Sequence, residues 1–270
     1  MNQERMIASF DGTKLFSRKD MPEKAKAVVL IVHGLAEHLN RYDALTERLL
    51  QAGYGVYRYD QRGHARSEGP RTFFKDFNEL PDDCKTMVDL VKAENPDLPV
   101  YLIGHSMGGF TVASFGTKYP GSVAGIVTSG ALTRYSKPTF GVLPVEAPAD
   151  MYVENSLGEG VCSDPEVVKD YQNDPLVEKE ISIGLMNALY DGITWLKANP
   201  TNFVEPTLIL HGANDGLVAE QDSRDFYGEI ASEDKTLKIY AKLCHEIFNE
   251  PSKQAIYTEV ITWLDEQLAN

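Results

Sequence analysis

The chain has 270 residues, 43% of them hydrophobic, and a formal net charge of −14. That length allows one large domain with a substantial core, with or without an insertion. So acidic a chain repels phosphate backbones and anionic membrane surfaces, which argues against nucleic acid as a partner and against stable membrane insertion or adsorption. Three scattered cysteines, Cys84, Cys162 and Cys244, are too few for a disulfide framework or a zinc site. Together with a polar N-terminus lacking an apolar signal segment, they predict a cytoplasmic protein.

Residues 5–10 and 14–19 read as a strand pair joined by Asp11-Gly12, a strong hairpin signal. Residues 27–33 form an unbroken apolar, β-branched run, as expected of a strand buried on both faces of a parallel sheet. A helical pattern over 42–52 ends at Gly53, and the next strand is expected at 54–59. A helix over 77–94 stops before Pro96. A strand over 98–103, a helix from 110 and a strand over 123–129 follow. After residue 182 the alternation resumes: helix 182–198, strand 207–211, helix 219–231, strand 236–240 and helix 253–268. Alternating elements of this kind predict an α/β architecture, a mostly parallel sheet flanked by helices.

Residues 135–181 break the rhythm. They hold several prolines and many acidic residues, mixed with Phe140, Leu143, Val145, Met151 and Leu157, and no clean strand. A structureless loop this long is improbable inside a compact domain. The segment reads as a cap of short helices inserted into a core made of 1–134 and 182–270.

Gly104-His105-Ser106-Met107-Gly108 sits between the 98–103 strand and the helix that follows. Strand, sharp turn and helix with a central serine is the context of a nucleophile elbow. A serine hydroxyl is a weak nucleophile and needs a base, which in turn needs an orienting acid. With the acid and base following in that order, His245 after the 236–240 strand is the base. Asp215 after the 207–211 strand is the acid. His211, at a strand end, reads as a packed, hydrogen-bonded residue, and Asp222 and Asp225 fall inside a helix. Two backbone N–H groups must hold the oxyanion: that of Met107 at the elbow, and that of Leu35 in the loop after the 27–33 strand.

The segments 33–38 (His-Gly-Leu-Ala-Glu-His) with Arg41-Tyr42, 60–69 (Asp-Gln-Arg-Gly-His-Ala-Arg-Ser-Glu-Gly), 104–109 (Gly-His-Ser-Met-Gly-Gly), 163–167 with Asp174-Pro175-Leu176, and 234–240 spread over nearly the whole chain. Together they resemble the monoacylglycerol lipase group of α/β-hydrolases, which includes lysophospholipase-like and serine-aminopeptidase-like members. The resemblance implies an eight-stranded α/β-hydrolase sheet with a cap, and no metal or organic cofactor. It implies hydrolysis of a monoacyl ester through an acyl-enzyme on Ser106. Lysophospholipase, aryl or cinnamoyl esterase and aminopeptidase stand as alternatives, and a non-catalytic ligand sensor as the rival outside enzymes. A dehalogenase would carry aspartate in place of Ser106. Two departures from the family pattern stand out: Ala36 where glycine is common, and a large Leu35.

Several further residues are candidates for substrate contact. Glu37 and Arg41 pair either to shape the alcohol pocket or to brace the oxyanion loop. His105 either touches the leaving alcohol or packs. Tyr152 and Tyr171 in the cap are candidate hydroxyl donors. Asp60 and Arg62 are expected to brace loops, and Cys244 to be a small packed residue beside the base.

Overall fold

The computed structural model describes residues 2–269. The hairpin at the N-terminus pairs β1 (Asn2–Ala8) with β2 (Lys14–Asp20), antiparallel. Its turn is closed by Ser9 N–H donating to the Thr13 carbonyl at 2.8 Å, with Gly12 at φ +91°. β3 (Ala27–Val32) is buried at every position. Val28, Leu30 and Val32 pack on one side of the sheet, and Ala27, Val29 and Ile31 on the other. That is why the run shows no polar alternation.

The remaining core elements are α1 (Asp43–Gln51), β4 (Tyr54–Tyr59), α2 (Glu79–Glu94), β5 (Val100–His105), α3 (Met107–Lys118) and β6 (Gly125–Ser129). An insertion follows, holding β7 (Tyr152–Glu154), α4 (Pro165–Asn173) and β8 (Glu180–Ser182). The core resumes with α5 (Ile183–Ala198), β9 (Thr207–Gly212), α6 (Glu220–Glu229), β10 (Lys235–Tyr240) and α7 (Lys253–Ala269). Eight strands form one sheet in the order β1-β2-β4-β3-β5-β6-β9-β10. β2 runs antiparallel to β4, and every pair from β4 to β10 is parallel. Side chains of α1 and α7 fill the core on one face, and those of α2, α3, α5 and α6 on the other. Among the described residues no helix is long and apolar enough to cross a membrane.

The insertion differs from the expected set of short helices. It contains one helix, one 3-10 turn at Leu157–Gly160, and a two-stranded antiparallel ribbon in which Tyr152 pairs with Ser182 and Glu154 with Glu180. Three-residue strands are too short to display a period-two pattern. α4 is the one element here with an explicit start signal: the Asp164 side chain caps the Glu166 N–H, and Pro165 follows it. The insertion is tied to the core by polar contacts. Asp174 accepts from His38 Nε2 at 2.8 Å, and the Glu178 N–H donates to the Ala36 carbonyl at 2.8 Å. Asp222 takes backbone N–H groups of Tyr135 and Ser136 at 2.9 and 3.0 Å. A structural task of that kind explains a buried carboxylate on α6.

Candidate active site

Ser106 stands between β5 and α3 at φ +55°, ψ −117°. For a residue with a Cβ this backbone is strained by roughly 1–3 kcal/mol. Hydrogen bonds from Ser106 N–H to the Ser129 carbonyl (2.9 Å) and from Phe110 N–H to the Ser106 carbonyl (3.0 Å) hold it there. The hydroxyl makes no hydrogen bond among the described residues and faces a cleft shared with His245.

Asp215 follows β9 and His245 follows β10. His245 Nδ1 lies 2.7 Å from Asp215 Oδ2. Asp215 Oδ1 accepts the N–H groups of Leu217 and Val218, both at 2.8 Å. Burial alone would raise its pKa, but the His245 and His211 rings drive it far below the usual carboxylate range. His245 moves oppositely: burial opposes its charged form, and the Asp215 carboxylate outweighs that and raises it. The His245 ring packs against His105, with centroids 4.5 Å apart. His105 Nδ1 meets the Ser129 carbonyl at 3.1 Å, and burial together with neighbouring His245 pushes the His105 pKa down to about 3. It is therefore a neutral, hydrogen-bonded ring that also lines the cleft. The packed, hydrogen-bonded role expected of it is what these contacts describe.

Leu35 and Met107 also line the cleft, and among the described residues neither backbone N–H has an intramolecular acceptor. The Leu35 N–H belongs to the same planar peptide as the Gly34 carbonyl, on its opposite edge. That carbonyl is held by His33 Nδ1 at 2.7 Å, while His33 Nε2 accepts the Gln61 N–H at 2.8 Å. These partners assign the proton to Nδ1. The Gly34 N–H donates to Glu37 Oε1. Both polar groups of Gly34 are thus clamped, and the Leu35 N–H is left free.

Glu37 sits in a buried cluster. It accepts from Tyr42 Oη at 2.6 Å and from Arg41 Nε at 3.0 Å. Arg41 also donates to Glu246 at 2.5 Å, and its guanidinium lies 5.1 Å from the Tyr171 ring centroid. Burial would raise the Glu37 carboxyl, but the Arg41 guanidinium and the Tyr42 hydroxyl help bring it down to about 2. Burial raises Glu246, which shares the single guanidinium with Glu37. Glu37, Glu246 and Tyr171 line the cleft, whereas Arg41 lies behind them and does not. The Glu37–Arg41 pair therefore braces the oxyanion loop, and only its carboxylate half faces the cleft. Tyr152 does not line the cleft: it opens β7 in the ribbon, paired with Ser182. Asp60 braces loops as expected, accepting from Leu39 N–H at 2.9 Å and Arg66 Nε at 2.8 Å. Arg62 pairs with buried Asp83.

The cleft has an empty volume of about 550 Å³, open solvent at its mouth included. Its lining combines apolar Leu132, Phe140, Leu157, Leu189 and Leu217 with polar Glu37, Glu246, His105 and Tyr171. Among the described residues no cluster of histidine, cysteine, aspartate and glutamate could hold a metal ion. Three contributors carry no signal in the sequence: His33 and Gln61 behind the 33–38 loop, and Glu246 on Arg41. His211, expected to be packed and hydrogen-bonded, is so, and it lies beside Asp215. Glu246 adjoins His245 in the chain, but its partner Arg41 is 205 residues away. No local pattern announces such a pairing.

Comparison with known proteins agrees with this geometry. The model of the family described as serine aminopeptidase, S33, matches residues 23–252. A monoacylglycerol lipase of Mycolicibacterium smegmatis is 35% identical over 97% of this chain and 96% of its own length. Human monoglyceride lipase is 31% identical over 97% of this chain and 90% of its own. The crystal structure of Paleococcus ferrophilus monoacylglycerol lipase superposes with a TM-score of 0.83 at 29% identity, covering 94% of this chain and 99% of that one. The chain belongs to the serine aminopeptidase (S33) family of α/β-hydrolases and, within it, groups with the monoacylglycerol lipases, as a serine ester hydrolase.

Proposed function

We propose that this enzyme hydrolyses monoacylglycerols, with Ser106 as nucleophile, His245 as general base and acid, and Asp215 as orienting acid. The observation that carries the reading is the cleft at Ser106, whose lining is mostly apolar side chains together with two carboxylates and a tyrosine. The apolar side chains suit an acyl chain, and the polar ones a small polyol leaving group. The carboxylates are already engaged by Arg41, Tyr42, Asn249 and the Gly34 N–H, which favours a neutral alcohol over a free α-amino group.

In the reaction, the Ser106 hydroxyl proton passes to His245 Nε2 as Oγ bonds to the ester carbon. The carbonyl oxygen becomes an oxyanion between the Leu35 and Met107 N–H groups; one such donor is worth about 3 kcal/mol. Collapse breaks the bond to the leaving oxygen, which takes the proton from His245. Water then adds to the acyl-enzyme, losing its proton to His245, and fatty acid and free Ser106 result. The Ser106–His245 hydrogen bond is left to form with substrate bound, as is common for free enzymes. Residues 135–181 act as the cap: Tyr135, Thr139, Phe140, Leu157, Val161 and Tyr171 roof the cleft and select the acyl chain.

The test is a hydrolysis panel of monoacylglycerols of graded chain length, lysophosphatidylcholine, aryl esters and aminoacyl anilides, run on wild type and on Ser106→Ala. Monoacylglycerols should give the highest kcat/KM. Ser106→Ala should lower it by roughly 10,000-fold or more with the fold unchanged. Near-native activity in Ser106→Ala would discard the nucleophile. Preference for an anilide would discard the substrate class.

A further inference from the structure

Asp215 Oδ2 has a second ring against it. His211 Nε2, from the end of β9, lies 3.0 Å away, while His245 Nδ1 lies at 2.7 Å on the same oxygen. His211 is fully buried. Its Nε2 also meets the Val218 carbonyl at 3.2 Å, and its Nδ1 meets Ser223 Oγ at 2.8 Å. A carbonyl can only accept, so Nε2 carries a proton, and Nδ1 is partnered by the Ser223 hydroxyl. The Nε2–H hydrogen bonds to the Val218 carbonyl and stands at ion-pair distance from Asp215 Oδ2.

We propose that His211 is a positioning residue for the catalytic acid: its Nε2–H fixes Asp215 Oδ2 and draws off part of the charge that Asp215 offers to His245. Two effects follow. The carboxylate cannot rotate, because Oδ1 is held by Leu217 and Val218 N–H and Oδ2 by two rings. In addition, a carboxylate already sharing a proton donor stabilises an imidazolium less strongly, so His245 stays neutral, and competent as a base, to lower pH than a singly bonded Asp215 would allow. The other groups facing this pair are His105 from β5, Glu37 from the oxyanion loop, Glu246 and Cys244 beside the base, and Lys137, whose Nζ reaches the Asp215 carbonyl at 3.3 Å. None of these places a hydrogen-bond donor on Oδ2.

This inference rests on the Ser106–Asp215–His245 assignment, which the Ser106→Ala measurement tests separately. Two substitutions separate positioning from packing. In His211→Asn the amide reaches the Nδ1 position, keeping a partner for Ser223 but placing no donor near Asp215. In His211→Gln the amide reaches the Nε2 position and restores that donor. The pH profile of kcat/KM for a p-nitrophenyl ester should show His211→Asn with its acid limb moved up by about half to one pH unit and its plateau lowered about tenfold. His211→Gln should return both to near the wild-type values. Equal profiles for the two variants, or a lower Tm with the wild-type acid limb, would reduce His211 to a packing residue. A measurement on the unaltered protein guards against misfolded variants. Histidine ¹⁵N NMR should show His211 as the Nε2–H tautomer throughout the titration of His245. The Nδ1–H tautomer at His211 would overturn the proposal.

Discussion

At the scale of single residues, the proposed triad is legible because each member sits where a strand ends, and strand ends are visible in the sequence. Gly104-His105-Ser106 follows an apolar run, and Asp215 and His245 follow two more. What the sequence hides is the set of groups that tune them. His33, His211 and Glu246 are single polar residues whose partners are fixed by tertiary packing. The tuning has a measurable sign. Asp215 raises the pKa of His245 above its ordinary 6.5, and the base must be neutral to work. The acid limb of kcat/KM should therefore have its midpoint above about pH 6.5. In Asp215→Asn the plateau should fall by about 10,000-fold, because the amide can present its N–H₂ to His245 and select the wrong tautomer. A limb centred well below pH 6, or a loss under tenfold, would point to a different acid.

At the scale of elements, the order and type of the core strands and helices follow from hydrophobic period. Their spacing at the site does not, because it depends on backbones meeting at glycines. A Cβ on Gly108, in the first turn of α3, would lie 2.1 Å from the Val32 carbonyl oxygen and 2.4 Å from that of His33. One on Gly212, at the end of β9, would lie 2.1 Å from the Cys244 carbonyl oxygen. These are backbone neighbours that cannot swing aside. The first contact sets the distance from the elbow to the oxyanion loop, and the second sets the distance from the acid strand to the base loop. Gly108→Ala and Gly212→Ala should each cost about 2–4 kcal/mol in chemical denaturation and lower kcat. Gly228, inside α6, has open space where its Cβ would go and no positive φ. Gly228→Ala should stabilise by about 0.5–1 kcal/mol and leave kcat unchanged. If all three substitutions behaved alike, close backbone approach would not be what fixes the site. The make-up of residues 135–181 differs from the expected short helices for a related reason: the ribbon and the ties to His38, Ala36 and Asp222 are set by contacts with the core rather than by local pattern.

At the scale of the whole molecule, the net charge of −14 predicts little about acid stability, because the sensitive groups are buried histidines. Burial holds the His64 ring at a pKa of about 3, with nearby His33 adding to the effect, and burial lowers His33 as well. His105 is likewise held at about 3, by burial and then by His245. A histidine with a depressed folded pKa takes up its proton more readily when unfolded. Its contribution to stability is present above the unfolded value of about 6.5 and is lost as pH falls below it, at up to about 1.4 kcal/mol per pH unit for each ring. His245 has the opposite sign, since its raised pKa adds stability below pH 6.5 that is lost as pH rises through the folded value. The depressed carboxyls Asp215 and Glu37 add their losses only below about pH 4. Three rings against one make stability decline from about pH 6.5 downward, before the depressed carboxyls of Asp215 and Glu37 take up protons. Urea midpoints measured from pH 7.5 to 4.5 should fall steadily over that range. In His64→Phe the slope should be shallower by about one proton, because the ring beside Phe74 no longer titrates in the unfolded chain. A flat profile down to pH 4.5 would mean that these rings can take up protons without unfolding, through local opening of the β4–α2 connection that carries His64.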